Sequence, residues 1–165
     1  MYGGVFMFEK MTSESKIYGF FIILCEAVGL VSGLISMSGM RNFENVNQSA
    51  LTPPGFIFPI VWVILYGLMG IGAARIWLSP EAKERTQGLI VFLLQLAVNF
   101  FWSIIFFNMQ KFQLAFWWLI LLWVLIIIMI YYYLKVDKPA AWLQIPYLLW
   151  VTFAGYLTYM AWMLN

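Results

Sequence analysis

The stretch Leu51–Ile76 reads LTPPGFIFPIVWVILYGLMGIGAARI. It opens on a double proline and then stays apolar for the thickness of a bilayer core, which takes about 20 helical residues to cross. Pro53 and Pro54 follow Thr52, and proline fits the first turn of a helix because its missing N–H would have no intrahelical partner there. The pattern predicts a membrane helix over 53–78. Pro59 falls inside that range, where it deletes a backbone bond and kinks the helix, a defect that membrane helices accept when neighbours or water satisfy the freed carbonyl. Phe58, Trp62, Tyr66 and Met69 recur at helical spacing and share one face. The other side carries Gly67, Gly70, Gly72, Ala73 and Ala74, small enough for a second backbone to approach closely.

Working outward, the same apolar character fills the chain. Of its 165 residues 64% are hydrophobic, 20% aromatic and only 10% charged, which places it among integral membrane proteins. The length suits one domain, 1–165, an all-α bundle of five transmembrane helices. The expected spans are 17–40, 53–78, 87–108, 112–134 and 140–164. Polar Arg41–Ala50 reads as a loop, Ser79–Arg85 as a solvated connection, and Met109-Gln110-Lys111 as a turn short enough to send the next helix back antiparallel. Lys135–Pro139 closes the fourth span, and Pro146 is expected to bend the fifth near its beginning. The opening MYGGVFMFEKMTSESK lacks the features of a signal peptide.

The few charges orient the bundle. Lys10, Lys16, Arg75, Lys83, Arg85, Lys135 and Lys138 flank one side, and Arg41 and Lys111 the other. By the positive-inside rule the expectation is a multi-pass protein of the cell membrane, surrounded by lipid, with its N-terminus cytoplasmic and its C-terminus on the opposite side. The loop after the first helix then faces away from the cytoplasm. A net charge of +2 gives no basis for a nucleic-acid partner.

Polar residues retained inside apolar helices carry the next step. Gln95, Asn99, Trp102 and Phe106 form one stripe of the third span, and Tyr147, Trp150, Ala154 and Leu157 one stripe of the fifth, with Ala154 leaving a notch between large neighbours. For Gln95 and Asn99 two readings stand, a tie between helices or, for Asn99, a ligand contact. The aromatic stripes are likewise either packing or the wall of a cavity. Glu26 is the sole acid deep in a span, which makes it a functional candidate for proton- or ion-coupled transport as well as a candidate packed, protonated side chain. Gly29 and Gly33 form a small-xxx-small pair suited to a helix contact, and Cys25 reads as a buried small hydrophobe.

What is missing bounds the chemistry. The sequence contains no histidine, which removes a Ser-His-Asp triad, a histidine base and any histidine metal site. One cysteine cannot build a thiolate cluster, so no metal site is expected, and no glycine-rich phosphate loop is present. Haem iron would find only Tyr or Met as ligands, so a tetrapyrrole is better held by stacking and shape than by axial bonds. The composition favours binding over catalysis.

Three segments, TPPGFIFPIVWVILYGLMGIGAARI, QLAVNFFWSIIFFNMQ and AAWLQIPYLLWVTFAGYLTYMAWMLN, together resemble the translocator protein family, also called tryptophan-rich sensory proteins. The likeness covers roughly residues 51–165. It implies a five-helix membrane bundle, usually a homodimer, that acts as a receptor, sensor or carrier. Its pocket lies beneath the first loop and takes porphyrins, haem and flat hydrophobic drugs, with no cofactor required. Carried over by motif, that pocket would comprise Pro53, Phe58, Trp62 and Tyr66, then Asn99 and Trp102, then Trp150, Ala154 and Leu157. Some bacterial relatives are described as degrading porphyrins in light, which would assign Trp62 and Trp150 a catalytic part. The chain departs from the family in its first loop, reading Asn42-Phe43-Glu44 where Trp-Tyr-Asp is common and Gln48-Ser49-Ala50-Leu51 before the double proline. It also lacks a basic residue after Tyr159, which argues against steroid transport, and has Thr158 where Asn is frequent.

Overall fold

The computed structural model describes residues 3–43 and 46–165, with side chains from Ser13 onward. Helix α1 spans Gly3–Phe43, α2 Ile57–Leu78, α3 Lys83–Ser103, α4 Phe112–Val136, α5 Lys138–Trp142 and α6 Ile145–Leu164, and α3 continues into a π-helical turn, Ile104–Asn108. Five of the resulting rods, Ser13–Phe43, Ile57–Leu78, Lys83–Asn108, Phe112–Val136 and Lys138–Leu164, are long and apolar enough to cross a membrane. At 22 residues even the shortest reaches about 33 Å, against a hydrocarbon core of about 30 Å. Their outer faces carry large apolar side chains: Phe20, Ile23, Trp117, Trp142 and Leu149 are all more than half exposed. Such a surface suits a membrane rather than water.

Contacts order the rods as a ring, α1 beside α2, α2 beside α5 and α6, then α4, then α3, which closes back on α1. The small residues decide the tightest seams. A Cβ on Gly70 would lie 2.6 Å from the Cα of Ile22, so α1 crosses α2 almost backbone to backbone, as the glycine-rich side of α2 predicts. Gly72 is covered by the Gln144 side chain and Gly39 by the Phe107 backbone. Ser32 donates to the carbonyl of Phe100 at 3.0 Å and Asn108 to that of Ile35 at 2.9 Å, fastening α1 along α3. Gly29 lies against the Tyr66 ring, whereas a Cβ on Gly33 would meet nothing within 4 Å. Within the chain, only Gly29 of the pair makes a helix contact.

Several boundaries differ from the sequence expectation. Helix α2 begins at Ile57 rather than 53, because Pro54 closes a turn by accepting from the Ile57 N–H at 2.9 Å. Pro59 consequently falls third in the helix, where its missing N–H costs no bond and forces no kink. Helix α1 runs on through Arg41, Asn42 and Phe43, so the loop is shorter than 41–50, and Glu44, one of the departures from the family pattern, lies outside the described residues. The fifth span is two helices rather than the single bent one expected: Pro146 cannot donate to the preceding turn, and the chain breaks at Leu143-Gln144. Asp137 starts the shorter one by accepting from the Ala140 N–H at 3.0 Å while gripping Arg75 at 2.9 Å, which pins the end of α2 to the α4–α5 corner.

That corner gathers the basic residues at one end of the ring. Arg85 lies over Trp77 at 5.4 Å and Lys135 over Tyr131 at 4.3 Å, the pairing expected where helices leave the hydrocarbon. The side chain of Lys10 lies outside the described residues.

Candidate functional site

The predicted stripes of α2, α3 and α6 turn toward one another. Helix α6 packs along α4 but touches α2 at few points, so the space between α2, α3 and α6 is filled by long side chains rather than by close backbone packing. From α2, Trp62 lies 5.5 Å from Tyr66 and reaches the Tyr147 ring of α6 at 6.2 Å. One turn nearer the loop, Phe58 meets Trp150 edge-on at 5.8 Å, and Trp150 meets Phe153 at 5.7 Å. These rings meet across the seam between α2 and α6 and are the candidate walls of a cleft.

Polar bonds close its floor. Asn99 donates to the Tyr66 hydroxyl at 3.1 Å, joining α3 to α2. One turn deeper, Tyr147 donates to Gln95 Oε1 at 2.7 Å, and Gln95 donates in turn to the sulfur of Met69 at 3.8 Å, so a single amide ties α3 to both α6 and α2. All of Tyr66, Met69, Gln95, Asn99 and Tyr147 are buried. Gln95 is thus a tie between helices, and Asn99 is positioned by Tyr66 at the level of the aromatic walls.

The remaining candidates sit nearer the mouth. Ala154 and Leu157 are buried on α6, and Thr158 turns its hydroxyl back onto the Ala154 carbonyl at 2.8 Å. Pro53 lies half-buried in the segment leading to α2. Trp102 belongs to a second aromatic group: it stacks on Phe106 at 5.2 Å, and Phe106 in turn packs against Phe43, Phe107 and Phe112. The π turn produces this arrangement by placing Phe106 and Phe107 side by side inside the bundle, an irregularity that the composition of the segment does not announce. The indole N–H groups of Trp102 and Trp150 are both buried with no hydrogen-bond partner among the described residues, an uncommon state for so polar a group.

Two other features lie apart from the cleft. Glu26 is half-buried on α1 beside Gly67 of α2, and among the described residues it enters no ion pair. A groove of about 360 Å³ runs along the outer α4–α6 seam between Phe116, Trp123, Gly155 and Tyr159. Sequence periodicity did not single out Gln144, which is buried between Gly72 and the Leu68 and Ala140 carbonyls. An amide two residues before a proline in an apolar run was the available signal.

Fold and site together define a multi-pass α-helical membrane protein with an aromatic cluster, tied by buried amides, among three of its helices. The TspO/MBR family model matches residues 21–163. The chain is 33% identical over 144 residues to the tryptophan-rich protein TspO of Chlorobaculum tepidum, covering 86% of this chain and 91% of that one. It is 30% identical over 150 residues to protein CrtK of Rhodobacter capsulatus, covering 90% and 92%. It is 32% identical over 149 residues to the translocator protein of Ovis aries, covering 89% and 88%. The chain belongs to the TspO/MBR family.

Proposed function

We propose that the cleft binds a flat apolar ring of the tetrapyrrole class, porphyrin or haem, and that the protein serves as a membrane receptor, sensor or carrier for it. The observation that carries this reading is the buried, unpartnered indole N–H of Trp150, on a wall otherwise made of aromatic faces. A ligand with a conjugated ring for the walls and an acceptor atom at its edge satisfies both features. No charged side chain is among the groups that form the cleft, so apolar burial and stacking supply the affinity. Names among the relatives, such as tryptophan-rich sensory protein in Cereibacter sphaeroides and translocator protein in Ovis aries, support the sensor or carrier role.

The basic end of the ring faces the cytoplasm in this reading, by the positive-inside rule, and the cleft opens toward the other side. The protein works in the cell membrane as a homodimer, as the family resemblance implies.

The test is a titration of the purified protein in detergent with protoporphyrin IX in the dark, followed by tryptophan quenching. Saturable quenching is expected, with affinity about tenfold weaker in Trp150→Ala, a loss on the scale of one aromatic contact. Quenching that never saturates, or is untouched by Trp150→Ala, removes the reading. Illuminating the saturated sample distinguishes a binder from an enzyme. Loss of the porphyrin spectrum beyond a protein-free control, abolished by Trp62→Phe or Trp150→Phe while binding persists, would assign light-driven breakdown instead.

A further inference from the structure

At the basic end of the ring three helices converge on Trp77. Its indole belongs to the last turn of α2 and is 48% exposed. Phe21 of α1 approaches the ring at 5.9 Å, and Arg85, in the first turn of α3, lays its guanidinium over it at 5.4 Å. Phe21 is itself buried against Phe92 of α3 at 6.2 Å, so the indole rests on a fixed base. A tryptophan with a packed body and a wet edge suits the level where hydrocarbon gives way to headgroups. The outer faces of α1 and α3 continue the apolar surface, with Phe20 and Ile90 more than half exposed.

Arg85 is poorly satisfied for a side chain so far removed from water. It is only 15% exposed, and its Nε is buried with no hydrogen-bond partner among the described residues. Its ion pair with Glu81 spans 3.7 Å, too long for a hydrogen bond, and the Glu81 side chain is 96% exposed, so water competes for that carboxylate. Neighbouring Glu84 enters no ion pair among the described residues. Arg75, at the same end, shows the contrast: its Nε and Nη2 both donate to Asp137, at 3.3 and 2.9 Å. A guanidinium carries five donors in a fork shaped for phosphate or carboxylate oxygens, and holding its charge out of water without acceptors is costly. Lys83 on the same turn of α3 and Lys16 on α1, a turn beyond Phe20, are exposed and add positive charge around it.

We propose that Arg85 and Trp77 form a headgroup site for an anionic phospholipid at the α1–α2–α3 corner. The lipid phosphate accepts from the Arg85 guanidinium, the indole packs at the level of the ester groups, and the acyl chains lie along the outer faces of α1 and α3. The exposed apolar surface below the charge commits the site to a lipid, since a free phosphate gains nothing from it. Lys16 and Lys83 favour a net negative headgroup and repel the cation of a zwitterionic one. Glu81 competes with the phosphate for the same guanidinium, so removing its charge strengthens binding. The site is separate from the aromatic cleft and does not depend on what the cleft holds.

The experiment titrates the full chain in detergent with phosphatidylglycerol or phosphatidylcholine and reads the first bound lipid by native mass spectrometry. Phosphatidylglycerol is expected to bind about tenfold more tightly than phosphatidylcholine, and Arg85→Gln to remove most of that preference. Arg85→Lys keeps part of it, a charge without the fork. Glu81→Gln is expected to tighten phosphatidylglycerol binding about twofold, the scale of one exposed ion pair, which a purely structural Arg85–Glu81 contact would not do. Lys111→Gln, at the opposite end of the ring, changes nothing. Equal binding of the two lipids, or a preference untouched by Arg85→Gln, overturns the site. Displacement of phosphatidylglycerol by millimolar inorganic phosphate overturns the lipid assignment in favour of a free anion.

Discussion

Tyr147 of α6 donates a 2.7 Å hydrogen bond to Gln95 of α3, and both side chains are fully buried. The bond crosses a seam where the helix backbones stand apart, so two long polar side chains span the separation beneath the aromatic rings. An amide placed in an apolar interior is costly unless satisfied at both ends. Here Gln95 Oε1 accepts from Tyr147 and its Nε2 is turned to Met69.

Tyr147→Phe should therefore destabilise the bundle by about 1–2 kcal/mol, because it leaves the Gln95 oxygen unpaired rather than merely deleting a bond. The double variant Tyr147→Phe/Gln95→Leu should recover part of that loss, since both polar ends are then gone. Thermal unfolding in detergent checks the pair. A double variant less stable than either single one would show that the bond matters for cleft spacing rather than for polar satisfaction.

The crossing of α1 over α2 predicts a contrast between two glycines. A methyl group on Gly70 would press on the Ile22 backbone at 2.6 Å, and backbone cannot step aside as a flexible side chain can. Gly70→Ala should cost about 1–3 kcal/mol through forced separation of the helices. Gly33→Ala meets open space and should leave the unfolding temperature within experimental error.

The floor of the cleft predicts how it treats iron. Its oxygen and sulfur groups that can ligate a metal are already engaged: the Tyr66 hydroxyl by Asn99, the Tyr147 hydroxyl by Gln95 and the Met69 sulfur by Gln95. Ligation by Tyr147 would have to break its bond to Gln95, and the Tyr66 oxygen and Met69 sulfur each already spend one lone pair on a hydrogen bond, so haem and metal-free protoporphyrin IX should bind with affinities within about threefold of each other. Competition titrations measure the ratio. A large preference for haem, lost in Tyr66→Phe or Met69→Leu, would show that one of these bonds gives way to the metal.

Membrane class, five spans and the faces of three helices that carry the candidate site are legible in the residues, because bilayer thickness and helical period are local rules applied to a nearly uninterrupted apolar chain. The sequence also marked Pro146 as the point where the fifth span departs from a straight helix, as a bend rather than the break that separates α5 from α6, since a missing N–H acts on its own turn. The rest follows from contacts between segments far apart in the chain. Whether Pro53 or Ile57 starts α2 depends on a turn closing onto Pro54. The satisfaction of Gln95 depends on partners 26 and 52 residues away. The π turn that groups Trp102 with Phe106 and the amide pairing of Asn47 with Asn165 across 118 residues leave no periodic trace. Hydrogen-bond partnership in a membrane interior is set by which helices become neighbours, and that follows from how all five fit together.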